Sequence, residues 1–171
     1  MTPLPTKAAL VAVAAVTGVA FGAVISYQRD GALDPGELAP VLWLLTALFA
    51  VRVAGQVLVA LRNPPWLPPM DEWNIVPYRL LLPVQLGILG VMVWIDASFS
   101  TTSGPPVHRL EAFGWLLIVF SGLYAGAMAI RYVIRMRRRP GARWFGGTIP
   151  IVFHLVLATY LYALGSFHVG S

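Results

Sequence analysis

The chain has no cysteine. Disulfides, thiolate metal sites and cysteine nucleophiles are therefore excluded, and thiols say nothing about the redox compartment. Charge is almost as scarce. Seven residues are acidic and twelve are Lys or Arg, so charged residues make up only 11% of 171 positions. A soluble domain carries about 25%, and a fold of this length could not cover its surface with so few. That excludes an ordinary cytosolic enzyme, a disordered chain and a free nucleic-acid binder. Nucleophile elbow, zinc-helix, phosphate-loop and dinucleotide motifs are missing as well. What remains plentiful is apolar: 58% of residues are hydrophobic. The expected class is an integral membrane protein whose solvent is lipid.

A helix crosses the hydrocarbon core with about 20 apolar residues. Five such stretches occur, at about 8–27, 39–61, 76–97, 112–134 and 147–167. The expected fold is all-α, a single domain over 1–171 built as a bundle of five transmembrane helices. Lys7 before an apolar run resembles a signal peptide, but the run is too long and no clear cleavage site follows, so the first helix is expected to be retained.

Basic residues set the direction. Lys7, Arg62, Arg79, Arg131, Arg135, Arg137, Arg138, Arg139 and Arg143 fall on one side, and Arg29 and Arg109 on the other. The positive-inside rule then predicts a cytoplasmic N-terminus and a periplasmic or extracellular C-terminus, in a bacterial inner membrane. Tryptophans agree, with Trp66, Trp73 and Trp144 at the inner ends of spans and Trp43, Trp94 and Trp115 at the outer ends. Arg135, Arg137, Arg138, Arg139 and Arg143 read as anchors on anionic lipid headgroups, with a specific partner as the other reading. The proline-dense segment 62–70 is expected to lie extended along the inner surface.

Helices associate in lipid through small residues. Gly18-x-x-x-Gly22 and Gly122-x-x-x-Gly126 are expected to pack within the bundle, with a homo-oligomer seam as the other use of such a motif. Pro83 should free the carbonyl four residues before it.

Polar groups inside a span cost several kcal/mol unless paired, so they are the leading functional clue. Arg52 is the one basic residue that fits neither membrane surface. Gln56 lies four residues on, on the same helical face. Gln85 and His154 lie about two turns into their helices, with Tyr78 and Arg79 nearer the inner surface. Two readings follow. Arg52, Gln56, Gln85 and His154, with Tyr78 and Arg79, either line a polar pocket or staple three helices by internal hydrogen bonds. A pocket rich in donors and without a carboxylate suits an anionic or carbonyl-bearing lipophile, such as a lipid headgroup, a fatty acid or a quinone.

His154 and His168 are 14 residues apart and share a helical face, about 21 Å apart along the axis. Cytochromes of the b type use this spacing for two haems, each needing a second histidine. Only His108 remains, level with His168. One haem b on His108 and His168 is conceivable, and the same pair with Asp96 or Glu111 could hold a divalent metal. The third reading is a pair of solvated interfacial histidines.

Arg52-Val53-Ala54-Gly55-Gln56, Trp66-Leu67-Pro68-Pro69-Met70 with Trp73, and the run Arg143 to Ile151 with Phe153-His154 resemble an uncharacterised family of small bacterial inner-membrane proteins. That resemblance implies no activity. Pro64-Pro65-Trp66-Leu67-Pro68-Pro69 is also similar to the loop of the tryptophan-rich sensory (translocator) proteins, which bind porphyrins and sterols. In that family the loop follows the first helix, whereas here it follows the second. The sequence thus points to a lipid- or quinone-binding membrane protein without evident catalytic chemistry. The alternatives are a one-haem redox protein and an accessory subunit of a larger membrane complex or homo-oligomer.

Overall fold

The computed structural model describes residues 4–30, 34–62, 78–138 and 149–170. These form five helices: α1 (Leu4–Asp30), α2 (Pro35–Arg62), α3 (Tyr78–Ser100), α4 (Glu111–Arg138) and α5 (Ile149–Val169). A 3-10 turn at Pro105–Val107 joins α3 to α4, and the described residues include no strand. Four helices hold stretches long and apolar enough to cross a membrane, namely Pro35–Leu58, Leu81–Ser100, Glu111–Ile134 and Ile151–Val169. The apolar stretch described in α1, Val11–Ser26, is shorter.

Each helix runs past its expected C-terminal end, by four residues in α4. Hydrogen bonding along the backbone does not stop where apolar side chains stop. Arg135, Arg137 and Arg138, expected in a loop, therefore sit on the last turns of α4. Cations there complement the negative end of the helix dipole, and Arg137 is exposed. Arg139, Arg143, the proline-dense segment from residue 63 on, Trp66, Trp73 and Trp144 lie outside the described residues. Trp43, Trp94 and Trp115 are exposed, and all three lie toward the end of the bundle that carries the 101–110 connection.

Local chemistry sets the helix ends. Asp34 caps α2: its Oδ1 accepts the Gly36 N–H at 2.7 Å and its carbonyl accepts the Leu38 N–H. Pro35 follows as the first helical residue, where its missing N–H costs nothing. At the far end of α3, Thr102 takes a positive φ of 49° and the Ser103 N–H bonds the Ser98 carbonyl, which ends the helix. Pro83 does not break α3, which continues through it.

Helix α5 is the hub. It packs against α4, α2 and α1, while α3 packs mainly on α2. Of its membrane-length window 67% is buried, against 17% in α3 and in α4. Val156, Tyr160, Ala163 and Phe167 of α5 meet Leu38, Leu42, Leu45 and Phe49 of α2 in one core with Phe99. Outward faces are as apolar as the core: Val119, Phe120, Leu123 and Ile130 of α4 are all more than half exposed. Such an exterior suits lipid and not water.

The close helix contact lies elsewhere than the glycine motifs suggested. A β-carbon on Gly114 would lie 2.7 Å from Val169 Cγ2 and 2.8 Å from the Gly165 carbonyl oxygen. One on Gly165 would lie 2.9 Å from the Gly114 carbonyl oxygen. By contrast, β-carbons on Gly18, Gly22, Gly122 and Gly126 would meet nothing within 4 Å. The expectation that those motifs pack inside the bundle is therefore corrected: they face outward, because a four-residue spacing marks a small-residue stripe without telling which side it faces. Gly114→Ala and Gly165→Ala should each destabilise the protein by about 1–3 kcal/mol. Gly122→Ala should be neutral or stabilise by up to about 1 kcal/mol, through helix propensity. Unfolding in detergent, followed by circular dichroism, distinguishes them; equal effects would refute the assigned seam.

Candidate functional site

The α4–α5 seam builds the site around Arg52. The helices run antiparallel, and Ser121 Oγ donates to the Ala158 carbonyl at 2.8 Å. One turn further along that seam, the Tyr124 hydroxyl hydrogen-bonds His154 Nδ1 at 2.5 Å. The two rings meet edge to face at 5.6 Å, and Tyr124 stacks on Phe120. A tyrosine hydroxyl deep in an apolar helix needs a partner, and His154 supplies it.

Helix α2 brings Arg52 to this pair. Its guanidinium carbon stands 5.8 Å over the ring of Phe153, a cation–π contact with the residue beside His154. Arg52 Nε is buried and has no hydrogen-bond partner among the described residues. The guanidinium charge acts on Tyr124 and on His154, and Arg131, two turns along α4, acts on both from its side. Among the described residues no carboxylate faces Arg52.

Gln56 and Gln85 are both buried, at 3% and 6% exposure. The α2–α3 register is set where the Trp43 indole donates to Ser100 Oγ at 2.9 Å. Continued along the two antiparallel helices, it places Gln56 and Gln85 at one depth. Gln85 Oε1 has no hydrogen-bond partner among the described residues. Of the expected cluster, Arg52 acts on His154, and Gln56 and Gln85 lie about one turn further on along α2 and α3. Tyr78 and Arg79 begin α3, and their side chains lie outside the described residues.

Tyr124, Arg131 and Phe153 belong to this site and were not singled out from the sequence. A mid-span tyrosine at the depth of a mid-span histidine was the available signal. Donors dominate the arrangement: two guanidiniums, two amides, a phenol and an imidazole, arranged over aromatic faces. It can hold an anionic or carbonyl oxygen. Among the described residues it offers no acid to take up a cation.

The other histidines do different work. His168 is buried, its Nδ1 accepts the Leu110 N–H at 3.3 Å, and its ring packs edge-on against Phe113 and Phe167. It caps the start of α4 from the neighbouring helix. His108 is exposed, and its N–H closes the 3-10 turn on Pro105. Asp96, considered beside them as a metal ligand, is instead fully buried and accepts the Tyr160 hydroxyl at 2.9 Å. Among the described residues no three His, Asp or Glu side chains are grouped to hold a metal ion. The solvated reading of both histidines is corrected for His168, whose ring ties two helices together.

No family model matches this chain, and no curated protein or solved structure is significantly similar to it.

The Tyr124–His154 bond yields a coupling prediction. Tyr124→Phe and His154→Phe should each cost about 1–3 kcal/mol by leaving the partner unsatisfied. The double variant should cost less than their sum, by about 0.5–3 kcal/mol. A thermodynamic cycle from detergent unfolding measures this, and strict additivity would contradict the bond.

Proposed function

We propose that this chain is a five-span protein of the bacterial inner membrane, with its N-terminus in the cytoplasm. In this reading it binds the polar head of an anionic or carbonyl-bearing lipophile, a lipid or a quinone, at the Arg52 site in the cytoplasmic half. One observation carries the reading: Arg52 is substantially buried and its Nε lacks a hydrogen-bond partner among the described residues, while the only charged or titratable side chain that acts on it there is the Tyr124 phenol. A buried guanidinium without a counter-charge costs several kcal/mol. An oxygen-bearing head placed against Arg52 offsets that cost, and its tail meets the apolar exterior.

Arg52 supplies donors from α2 and the Tyr124–His154 pair keeps one further donor beside its own bond, so the head is oriented as well as neutralised. Gln56 and Gln85, whose amides both donate and accept, extend the polar surface toward the basic end. The distribution of Arg62, Arg131 and Arg137 supports placing that end in the cytoplasm. As a fifth span, α1 is supported by its packing on α5, where Thr17, Ala20 and Val24 are buried while Val11 and Val19 stay exposed.

Extraction into lipid nanodiscs followed by mass spectrometry tests the reading. The wild-type protein should carry one lipophile class enriched over the bulk membrane extract. Arg52→Ala should weaken its retention about 10- to 150-fold, the loss of one charged hydrogen bond, and Arg52→Lys should lose less. The same lipid profile for wild type and Arg52→Ala would remove the reading's support.

A further inference from the structure

A second polar centre lies nearer the opposite end of the bundle, and lipophile binding does not use it. Asp96 has no exposed surface. It lies four residues before the end of α3, about 6 Å along the axis. Tyr160 of α5 donates to its Oδ1 at 2.9 Å and stands 3.4 Å from the Met92 carbonyl. Asp96 Oδ2 is buried without a hydrogen-bond partner among the described residues. The hydroxyl of Thr46, 3% exposed on α2, completes no hydrogen bond of good geometry either, but it stands close enough to act on the same carboxyl as a hydrogen-bond donor.

Among the described residues, the side chains that interact most strongly with Asp96 are neutral hydroxyls. From α2 the group facing Asp96 is the Thr46 hydroxyl and from α5 it is the Tyr160 phenol, and with burial these are the strongest influences on it. A lone ionised carboxylate in such a place costs several kcal/mol. Two unsatisfied oxygens from adjacent helices, Asp96 Oδ2 and Thr46 Oγ1, leave room in their chemistry for one positive charge shared between them.

We propose that Asp96, Thr46 and Tyr160 form a binding site for one small hard cation, a proton or a sodium ion, between α2, α3 and α5. Bound as a proton, the ligand sits on Oδ2 and is donated to Thr46 Oγ1, while Tyr160 keeps its bond to Oδ1. Bound as sodium, it takes Oδ2 and Thr46 Oγ1 as oxygen ligands, the donor type hard cations prefer. Either way the carboxyl is neutralised and both orphan oxygens are satisfied. The site is independent of the Arg52 site, and its test uses no lipid readout.

Full-length protein in nanodiscs is examined in two ways, by infrared spectroscopy at neutral pH and by thermal unfolding with sodium or with choline as the cation. A protonated-carboxyl band present in wild type and absent in Asp96→Asn identifies the proton. No such band, with a sodium-dependent rise in Tm that Asp96→Asn loses, identifies sodium. Neither signal in wild type overturns the proposal. Thr46→Val keeps the carboxyl and the helix, so it carries the test where Asp96→Asn does not fold. It should shift the carboxyl band in the first case and abolish the sodium response in the second. A Thr46→Val protein identical to wild type in both measurements also overturns the proposal.

Discussion

Gly114 and Gly165 face each other across α4 and α5 so closely that a β-carbon on either would fall within 3.0 Å of atoms on the opposite helix. Lipid tails are as apolar as leucine, so burial alone does not hold helices together in a membrane, and close packing has to do so. The contact between the two glycines fixes a register. In that register Leu110 N–H meets His168, Ser121 meets the Ala158 carbonyl, and Tyr124 meets His154. These three bonds lie at three depths along one seam. Sliding α5 by one residue would turn each side chain about 100° and break them all.

Locking α5 to α4 leaves its other faces for α2 and α1. Phe153 then lies under Arg52, and Tyr160 reaches across to Asp96 on α3. Helix α3 has few direct contacts with α5, so this long tyrosine and the Phe99–Phe167 edge contact are what tie the two. The polar residues of the bundle are thus placed by an apolar geometry of small side chains. That order is expected in lipid, where a polar group can be buried only where packing has already provided a partner.

The sequence made some of this legible and hid the rest. Helix existence followed from apolar length, which lipid imposes directly, and each of the five expected stretches overlaps an observed helix. Arg52, Gln56 and Gln85 stood out because a polar residue in a span is an exception wherever it faces. Facing was the missing quantity. Gly122 and Gly126 look in one dimension like a packing seam but point outward, whereas Gly114 and Gly165 have no motif spacing and make the contact. Asp96 looked interfacial because it lies near a helix end, yet α2 and α5 cover it completely. Tyr124 passed unnoticed because its role depends on a partner thirty residues away, and only the pairing of α4 with α5 supplies that partner.

The two polar centres share their supports. Thr46 and Arg52 are six residues apart on α2, and so are His154 and Tyr160 on α5, which separates the layers by about 9 Å. Phe49 and Val156 lie in the interval. Opposite unit charges about 9 Å apart, at an effective dielectric constant of about 20, attract by about 2 kcal/mol. Removing one ion from water costs several kcal/mol. The positive charge at Arg52 is therefore too distant to compensate a negative one at Asp96, and the reverse holds equally. Each layer needs a neutralising partner at its own depth. For Arg52 the aromatic face of Phe153 and the Tyr124 hydroxyl go only part of the way, since neither carries a full negative charge. For Asp96 the Tyr160 hydroxyl satisfies one oxygen and leaves the other. The same deficit, of opposite sign, thus recurs at two depths of one helix pair, and it is why an anionic head suits the first layer and a small cation the second.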